Sequence, residues 1–209
     1  MRLGMVIDLY RCIGCDACTM ACKAEQGTPE DVYYSRVYKR VFGEHPDIRG
    51  FFLPVLCNQC ENPACMNSCP AHAITITPEG VVVVDDDKCT GCKTCVAACP
   101  YGNMFLPDGY GKTYYNDYVT PVEEFHRKYR KPNTAMKCDF CLHRVRQGLD
   151  PACVAACPAE ARIFGDLDDP NSKPNKYIKE RVPPATLFQP LPEAGTKPKV
   201  MYIIGGGSR

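Results

Sequence analysis

The sequence contains no tryptophan, and neither sign of charge is in excess, with 25 basic residues against 24 acidic ones. No block of like charge stands out, so nothing predicts binding to nucleic acid or to an anionic membrane surface. The most apolar stretches, residues 51–56 and 81–84, are far shorter than the about 20 residues that cross a bilayer. The first residues show neither an apolar signal-peptide core nor a twin-arginine pair. We therefore expect a chain that is soluble by itself and reaches a membrane only through a partner.

Motifs that handle a substrate are missing as well. The sequence has no Ser-His-Asp arrangement, no phosphate-binding loop and no glycine-rich dinucleotide fingerprint. We therefore assign no catalytic residue and expect that the chain is not an enzyme on its own.

Cysteine, proline and glycine are abundant, with 16, 19 and 16 residues respectively. Frequent prolines and glycines favour short elements and turns over long helices. Since the hydrophobic fraction of 45% includes the cysteines, a conventional apolar core would be thin. We expect the cysteines to supply much of the cross-linking.

The sixteen cysteines fall into four groups of four. Groups one and three share the spacing C-x2-C-x2-C-x3-C, group two has four residues in its second gap, and group four has eleven. Groups two, three and four each end in Cys-Pro, at Pro70, Pro100 and Pro158. The members are, in chain order, Cys12, Cys15, Cys18 and Cys22; Cys57, Cys60, Cys65 and Cys69; Cys89, Cys92, Cys95 and Cys99; and Cys138, Cys141, Cys153 and Cys157.

Three kinds of cysteine chemistry compete for this pattern. Disulfides are disfavoured because spacings of two and three residues suit structural bridges poorly and no secretion signal is present. Zinc is usually held by two separated cysteine pairs, whereas here three thiols fall within seven residues in groups one and three. Three closely spaced cysteines with a distant fourth before proline are instead typical of bacterial ferredoxins, in which the fourth ligates the other cluster of a pair. The pattern predicts four [4Fe–4S] clusters.

The cross-over rule also predicts which cysteines share a cluster. Groups two and three are neighbours in sequence, which leaves groups one and four to pair across the middle of the chain. We expect an α+β fold of two ferredoxin-like units with short β-hairpins, one nested within the other, plus a long insert and an extended tail. The predicted ligand sets are Cys12, Cys15, Cys18 and Cys157; Cys57, Cys60, Cys65 and Cys99; Cys89, Cys92, Cys95 and Cys69; and Cys138, Cys141, Cys153 and Cys22.

These pairings divide the chain into five segments. The outer unit takes residues 1–56, including a linker, and 138–165, the inner unit takes 57–102, the insert 103–137 and the tail 166–209. Alternating β-branched residues around Pro78-Glu79-Gly80 predict a hairpin inside the inner unit. Strands are also expected over 30–38, 50–55 and 200–204, and a short helix is expected after Thr120, with Pro121 at its first position. The glycine-rich residues 205–209 are typical of a flexible linker.

Basic residues beside the cysteines could raise the reduction potentials of nearby clusters, because positive charge favours the reduced state. The candidates are Lys23, Lys137, Arg144 and Arg146. They could equally be ordinary solvated side chains.

Several motifs together resemble one known family over nearly the full length of the chain. They are Met5-Val6-Ile7-Asp8 with Cys12-Ile13-Gly14-Cys15; Cys57-Asn58-Gln59-Cys60 with Pro63-Ala64-Cys65; Cys89-Thr90-Gly91-Cys92; Ala98-Cys99-Pro100-Tyr101-Gly102; Lys137-Cys138-Asp139-Phe140-Cys141; Phe164-Gly165-Asp166-Leu167; and Gly195-Thr196-Lys197-Pro198. The chain resembles the four-cluster electron-transfer subunit of dimethyl-sulfoxide reductase-family molybdopterin oxidoreductases. Its two ends look most like the branch of polysulfide, thiosulfate and arsenate reductases.

The resemblance implies that electrons pass through this chain to a large catalytic subunit that binds molybdenum or tungsten by a pterin. It further implies anaerobic respiration of polysulfide, thiosulfate, tetrathionate or arsenate, with a membrane anchor that oxidises quinol, or a cytochrome, as the other partner. Such complexes are often exported folded on the catalytic subunit's own leader, so an extracytoplasmic, periplasmic location is expected. The alternative is a cytoplasmic partner of a formate dehydrogenase, hydrogenase, aldehyde oxidoreductase or transhydroxylase.

Overall fold

The fold is mixed α/β with small sheets, seen in a computed structural model that describes residues 1–116, 118–183 and 185–205. Most elements are short, as the proline and glycine content predicts. The strands are β1 Leu3–Asp8, β2 Ser35–Phe42, β3 Arg49–Leu56, β4 Ile74–Ile76, β5 Val82–Val84, β6 Arg162–Asp166, β7 Thr186–Phe188 and β8 Val200–Ile204. The helices are α1 Ala17–Gln26, α2 Ala64–Asn67, α3 Thr94–Ala98, α4 Pro121–Arg127, α5 Leu142–Val145, α6 Ala152–Ala155 and α7 Lys173–Arg181.

The largest sheet has four strands in the order β6-β1-β8-β7. Strand β1 lies inside it, antiparallel to β6 and parallel to β8, and is buried along its whole length. Its apolar run of Met5, Val6 and Ile7 suits a strand that is covered on both faces. The sheet therefore joins the first residues of the chain to residues that follow the last cysteine.

The predicted inner hairpin is confirmed. Strands β4 and β5 pair antiparallel, with Ile74 opposite Val84 and Ile76 opposite Val82. Gly80 has a φ of 78° in the connecting turn, a conformation that glycine adopts without a steric cost.

Strands β2 and β3 form a separate antiparallel hairpin whose tip is exposed. The predicted strand over 30–38 is displaced, because β2 begins only at Ser35. Val32 and Tyr34 are buried in the main core from an irregular segment. The carbonyls of Glu30 and Val32 accept hydrogen bonds from the Lys23 ammonium instead of from a partner strand.

The insert contains the predicted helix, α4. The Thr120 hydroxyl accepts from the Glu123 backbone N–H at 3.2 Å, and the Glu123 carboxylate accepts from the Thr120 N–H at 2.8 Å. This reciprocal capping box fixes the start of the helix, with Pro121 at its first position.

The tail is not extended throughout. Strand β8 is confirmed at 200–204, but helix α7 spans Lys173–Arg181 after the N-cap Ser172. The glycine-rich linker predicted over 205–209 lies, from residue 206 onward, outside the described residues. Within the described part of the chain, no helix is long and apolar enough to span a bilayer.

The main core contains cysteines beside ordinary apolar side chains. Met5, Ile7, Phe140, Phe164 and Tyr202 are buried there, and Phe140 meets Phe164 edge-on with ring centroids 5.3 Å apart. Cys18, Cys22, Cys138 and Cys153 belong to the same cluster. The thiols are therefore part of the core itself.

Candidate functional site

All sixteen cysteines are free thiols. Each predicted ligand set draws on two of the sequence groups, and the structure places several of its members close together. We name the predicted sets A to D, and their members are A, Cys12, Cys15, Cys18 and Cys157; B, Cys57, Cys60, Cys65 and Cys99; C, Cys69, Cys89, Cys92 and Cys95; and D, Cys22, Cys138, Cys141 and Cys153.

Set A lines a single cavity between the first cysteine loop and the segment after Cys157. Pro54 of strand β3 and Arg162 of strand β6 complete its wall. Four thiols from opposite ends of the sequence therefore face one space.

In each of the other predicted sets, some thiols lie close enough to raise the pKa of a neighbour. In set B, burial and then the neighbouring Cys57, Cys99 and Cys60 raise the pKa of Cys65 to about 12. In set C, burial followed by Cys89, Cys69 and Cys92 raises the pKa of Cys95 to about 11. In set D, burial followed by Cys153 and Cys141 raises the pKa of the Cys22 thiol.

The sets also adjoin one another. Cys138 of set D lies near Cys57 of set B, and Cys153 of set D lies near Cys18 of set A. Members of sets B and C share one apolar cluster around Ile74 and Val82. The sets consequently follow one another through the molecule in the order C, B, D, A.

Two of the four loops depend on glycine. Gly14 and Gly91 have φ values of 68° and 69° between their flanking cysteines. A Cβ atom at Gly14 would lie 2.5 Å from the Phe52 ring, and one at Gly91 would lie 2.7 Å from the Asn133 carbonyl oxygen. Both positions therefore require glycine for its conformation and for its small size.

The other two loops place large residues in the same left-handed region. Gln59 has a φ of 47° and Phe140 a φ of 57°, and both side chains are buried. The Gln59 side-chain amide donates to the Cys138 carbonyl at 2.6 Å, and its oxygen accepts from the Val82 N–H at 2.7 Å. Gln59 thus connects the group four loop to the inner hairpin, a role that the sequence analysis missed.

Backbone amides point at several sulfur atoms. The Ala73 N–H donates to Cys69 Sγ at 3.4 Å, and the Ala161 N–H donates to Cys157 Sγ at 3.3 Å. In both cases the donor lies four residues after the cysteine, and a proline directly follows the cysteine. These two cysteines therefore have equivalent surroundings. Hydrogen bonds to sulfur stabilise the thiolate and influence the potential of an attached cluster.

The donor set fits iron–sulfur clusters. Burial raises the pKa of Cys60 and of Cys141 to about 11, with neighbouring thiols adding to the effect. Such thiols stay protonated near neutral pH unless a bound metal supplies positive charge, and metal binding then releases their protons. Among the described residues, no three His, Cys, Asp or Glu side chains are grouped to hold a single ion. A cubane does not require such grouping, since each thiolate ligates a different iron.

The four basic residues predicted as charge sources differ in their surroundings. Arg144 pairs with Glu25 at 2.9 Å and Arg146 with Glu79 at 2.8 Å, so carboxylates offset both charges. Lys23 donates to backbone carbonyls, among them that of Pro29 at 2.9 Å, and lies over the Tyr33 ring. Lys137 is buried and donates to the Val82 and Cys138 carbonyls beside sets B and D.

Arg162 is a further basic residue at the thiol sets, and the sequence analysis missed it. Its side chain is buried on strand β6, five residues after Cys157, and it borders the cavity of set A. A charged residue within the otherwise apolar Ala161–Phe164 stretch was the available signal.

Family models match two parts of the chain. A 4Fe-4S dicluster domain matches residues 48–114 and 119–167, and a 4Fe-4S binding domain matches residues 9–33. Together these matches include all four cysteine groups.

Curated relatives align over almost the whole chain. The arsenate respiratory reductase iron-sulfur subunit of Shewanella sp. (strain ANA-3) is 39% identical over 99% of this chain and 98% of its own length. One of the polypeptides of the polysulfide reductase of Wolinella succinogenes is 36% identical over 97% and 94% respectively. One of the polypeptides of the tetrathionate reductase of Salmonella typhimurium is 37% identical over 97% of this chain and 70% of its own length.

Proposed function

Since the chain belongs to the 4Fe–4S iron–sulfur subunits of dimethyl-sulfoxide reductase-family enzymes, we propose that it relays electrons through four [4Fe–4S] clusters to a molybdopterin catalytic subunit. It is a non-catalytic electron-transfer subunit. The observation that supports the proposal best is the cavity lined by four free thiols from distant parts of the sequence, Cys12, Cys15, Cys18 and Cys157.

Each thiol set ligates one cluster in this proposal. Sets B and C then form an inner ferredoxin-like unit, and sets A and D form an outer unit whose two halves enclose it in the sequence. Strand pairing supports this nesting. Strand β4 follows group two and pairs antiparallel with β5, which precedes group three, while β6 follows group four and pairs antiparallel with β1, which precedes group one.

Helix contacts repeat the same relation. Helix α2 of group two contacts α3 of group three, and α6 of group four contacts α1 of group one. The outer unit therefore has the arrangement of the inner unit, with group four in the place of group two. In the outer unit, however, the half with group four comes second in the chain. Group one, which lacks the proline, occupies the position of group three.

Bound clusters supply one-electron redox chemistry, and the protein's residues hold, shield and adjust them. Cysteine loops with left-handed residues fix the thiols, and amides of Ala73 and Ala161 hydrogen-bond to sulfur. Burial of Cys22, Cys138, Cys141 and Cys153 shields set D from water. Cys15 and Cys92 are exposed, so sets A and C approach the surface at the two ends of the series. Contact with two redox partners at these ends suits a relay.

Two neighbouring cysteines on helix α1 provide a matched test of the ligand sets. Cys18 and Cys22 are one helical turn apart and are both buried, yet the proposal places them in sets A and D. In the anaerobically purified protein, Cys18→Ser should alter the same EPR signal as Cys157→Ser. Cys22→Ser should alter the same signal as Cys141→Ser. Loss of one common signal in the Cys18 and Cys22 variants would refute the pairing.

The relatives' names support a proposal for the partner and the substrate. Their reductases support a role in anaerobic respiration of arsenate or of a sulfur compound such as polysulfide or tetrathionate. The catalytic subunit accepts the electrons, a membrane quinol-oxidising subunit or a cytochrome supplies them, and the complex faces the periplasm. Co-purification of a tagged chain, with metal analysis and cell fractionation, tests this. A cytoplasmic complex that lacks molybdenum and tungsten would refute it.

A further inference from the structure

The side chain of Arg162 lies between two of the thiol sets. It is 3% exposed, and its Nη2 donates to the Ser35 hydroxyl at 2.9 Å. It borders the cavity of set A, and its charge acts on the Cys153 thiol of set D, whose pKa it lowers against the effect of burial. Its Nη1 atom is buried without a hydrogen-bond partner.

No carboxylate offsets this charge within the described ranges of the chain. The buried Asp8 shows the contrasting case, because Arg181 approaches its carboxylate at 3.3 Å and the Tyr177 hydroxyl donates to it at 2.7 Å. A buried cation without a counter-ion is costly, so its retention calls for an anion nearby. The adjacent anions in the loaded protein are the thiolates of sets A and D.

We propose that Arg162 is a positioning residue that raises the reduction potentials of the two centres held by sets A and D. This inference rests on the proposed function, since it requires clusters at both sets. Four thiolates outweigh the positive charge of a [4Fe–4S] core, so each site is net negative in both oxidation states. Reduction adds one electron from the external donor and hence one negative charge.

A guanidinium that stays protonated attracts this added charge without transferring a proton. Its effect is strong because burial reduces screening by water and salt. No thiol of sets B and C lines the cavity that Arg162 borders, so the reduction potentials of their centres should depend much less on this charge.

The test is an anaerobic redox titration of the holoprotein, monitored by EPR, with iron measured in each variant. In Arg162→Gln, the ratio of reduced to oxidised form of the centres of sets A and D should fall at least tenfold at the wild-type midpoint potential, a downward shift of about 59 mV or more for one electron. Arg162→Lys keeps the positive charge, so the reduction potentials of these two centres should stay close to the wild-type values. Arg146→Gln is the matched control, because Arg146 is an exposed arginine whose charge is offset by Glu79 at 2.8 Å.

A second variant covers the case in which Arg162→Gln does not bind clusters. Ser35→Asp places a carboxylate beside the intact guanidinium and neutralises it where it lies. The potentials of the same two centres should fall again. Unchanged potentials in an iron-replete Arg162→Gln or Ser35→Asp protein would overturn the inference. Absence of [4Fe–4S] signals from the wild-type protein would instead refute the proposed function.

Discussion

Gln59 joins the two halves of the molecule, and its replacement gives the sharpest test of how the ferredoxin-like units are held together. Its side chain is fully buried and donates to the Cys138 carbonyl while accepting from the Val82 N–H. Gln59→Met keeps the approximate length and volume of the side chain but removes both hydrogen bonds.

The expected cost follows from the two backbone groups that Gln59 contacts. The Cys138 carbonyl keeps a hydrogen bond from the Lys137 ammonium, so only the buried Val82 N–H is left without a partner. One unsatisfied buried group costs about 1–3 kcal/mol and the second lost hydrogen bond about 0.5–1.5 kcal/mol, so the variant should lose roughly 1.5–4.5 kcal/mol of stability. If these bonds break before the unfolding barrier, even the lower figure accelerates unfolding about tenfold.

The assay is the rate at which the visible cluster absorbance is lost in denaturant under anaerobic conditions. A rate is the suitable measure, because loss of clusters makes unfolding irreversible. Gln147→Met is the control, because that exposed glutamine makes a single side-chain hydrogen bond, to the His143 carbonyl. It should change stability by no more than about 0.5 kcal/mol. Equal rates for the Gln59 and Gln147 variants would refute the reasoning.

Three further outcomes are expected. Gly14→Ala should lose iron because its Cβ meets the Phe52 ring, whereas Gly148→Ala, with a φ of 76° and open space, should cost only about 1–2 kcal/mol and keep its iron; equal iron contents would contradict this. Removing iron by anaerobic chelation should leave a largely unfolded chain in circular dichroism, because the thiols form part of the core; a cooperative thermal transition without clusters would count against it. Thr120→Ala should weaken helix α4 by about 1 kcal/mol and speed amide exchange there without changing any cluster signal; altered EPR spectra would show that the insert is coupled to the clusters.

Features with a local cause could be predicted from the sequence. The inner hairpin is specified by β-branched alternation around a Pro-Glu-Gly turn, and helix α4 by Thr120, Pro121 and Glu123. The four cysteine groups can be read from spacing, whereas their combination into ligand sets stays a prediction. Helix α7 has a readable signal as well, with Ser172 as its cap and Pro174 in its first turn. The many prolines of this region, which favour extended backbone, obscure that signal.

Long-range features could not be predicted in the same way. Nothing in the short apolar run of β1 specifies that Met5 lies opposite Phe164 and beside Val200. The position of β2 depends on the burial of Val32 and Tyr34, which is a tertiary effect. The sequence also does not show that Arg162 is buried rather than solvated, because its burial depends on how strand β6 packs in the folded chain.

The pairing of β1 with β6 and β8 imposes an order on biosynthesis. Strand β1 is made before the four cysteine groups, whereas its partners β6 and β8 are made after all of them. The β4–β5 hairpin and the thiols of sets B and C are complete much earlier, once Cys99 has emerged. In the proposed pairing, Cys12, Cys15 and Cys18 lack their fourth partner until Cys157 has been made. Such high contact order slows folding, so the outer thiols pass through a period of vulnerability to oxygen that the inner ones do not.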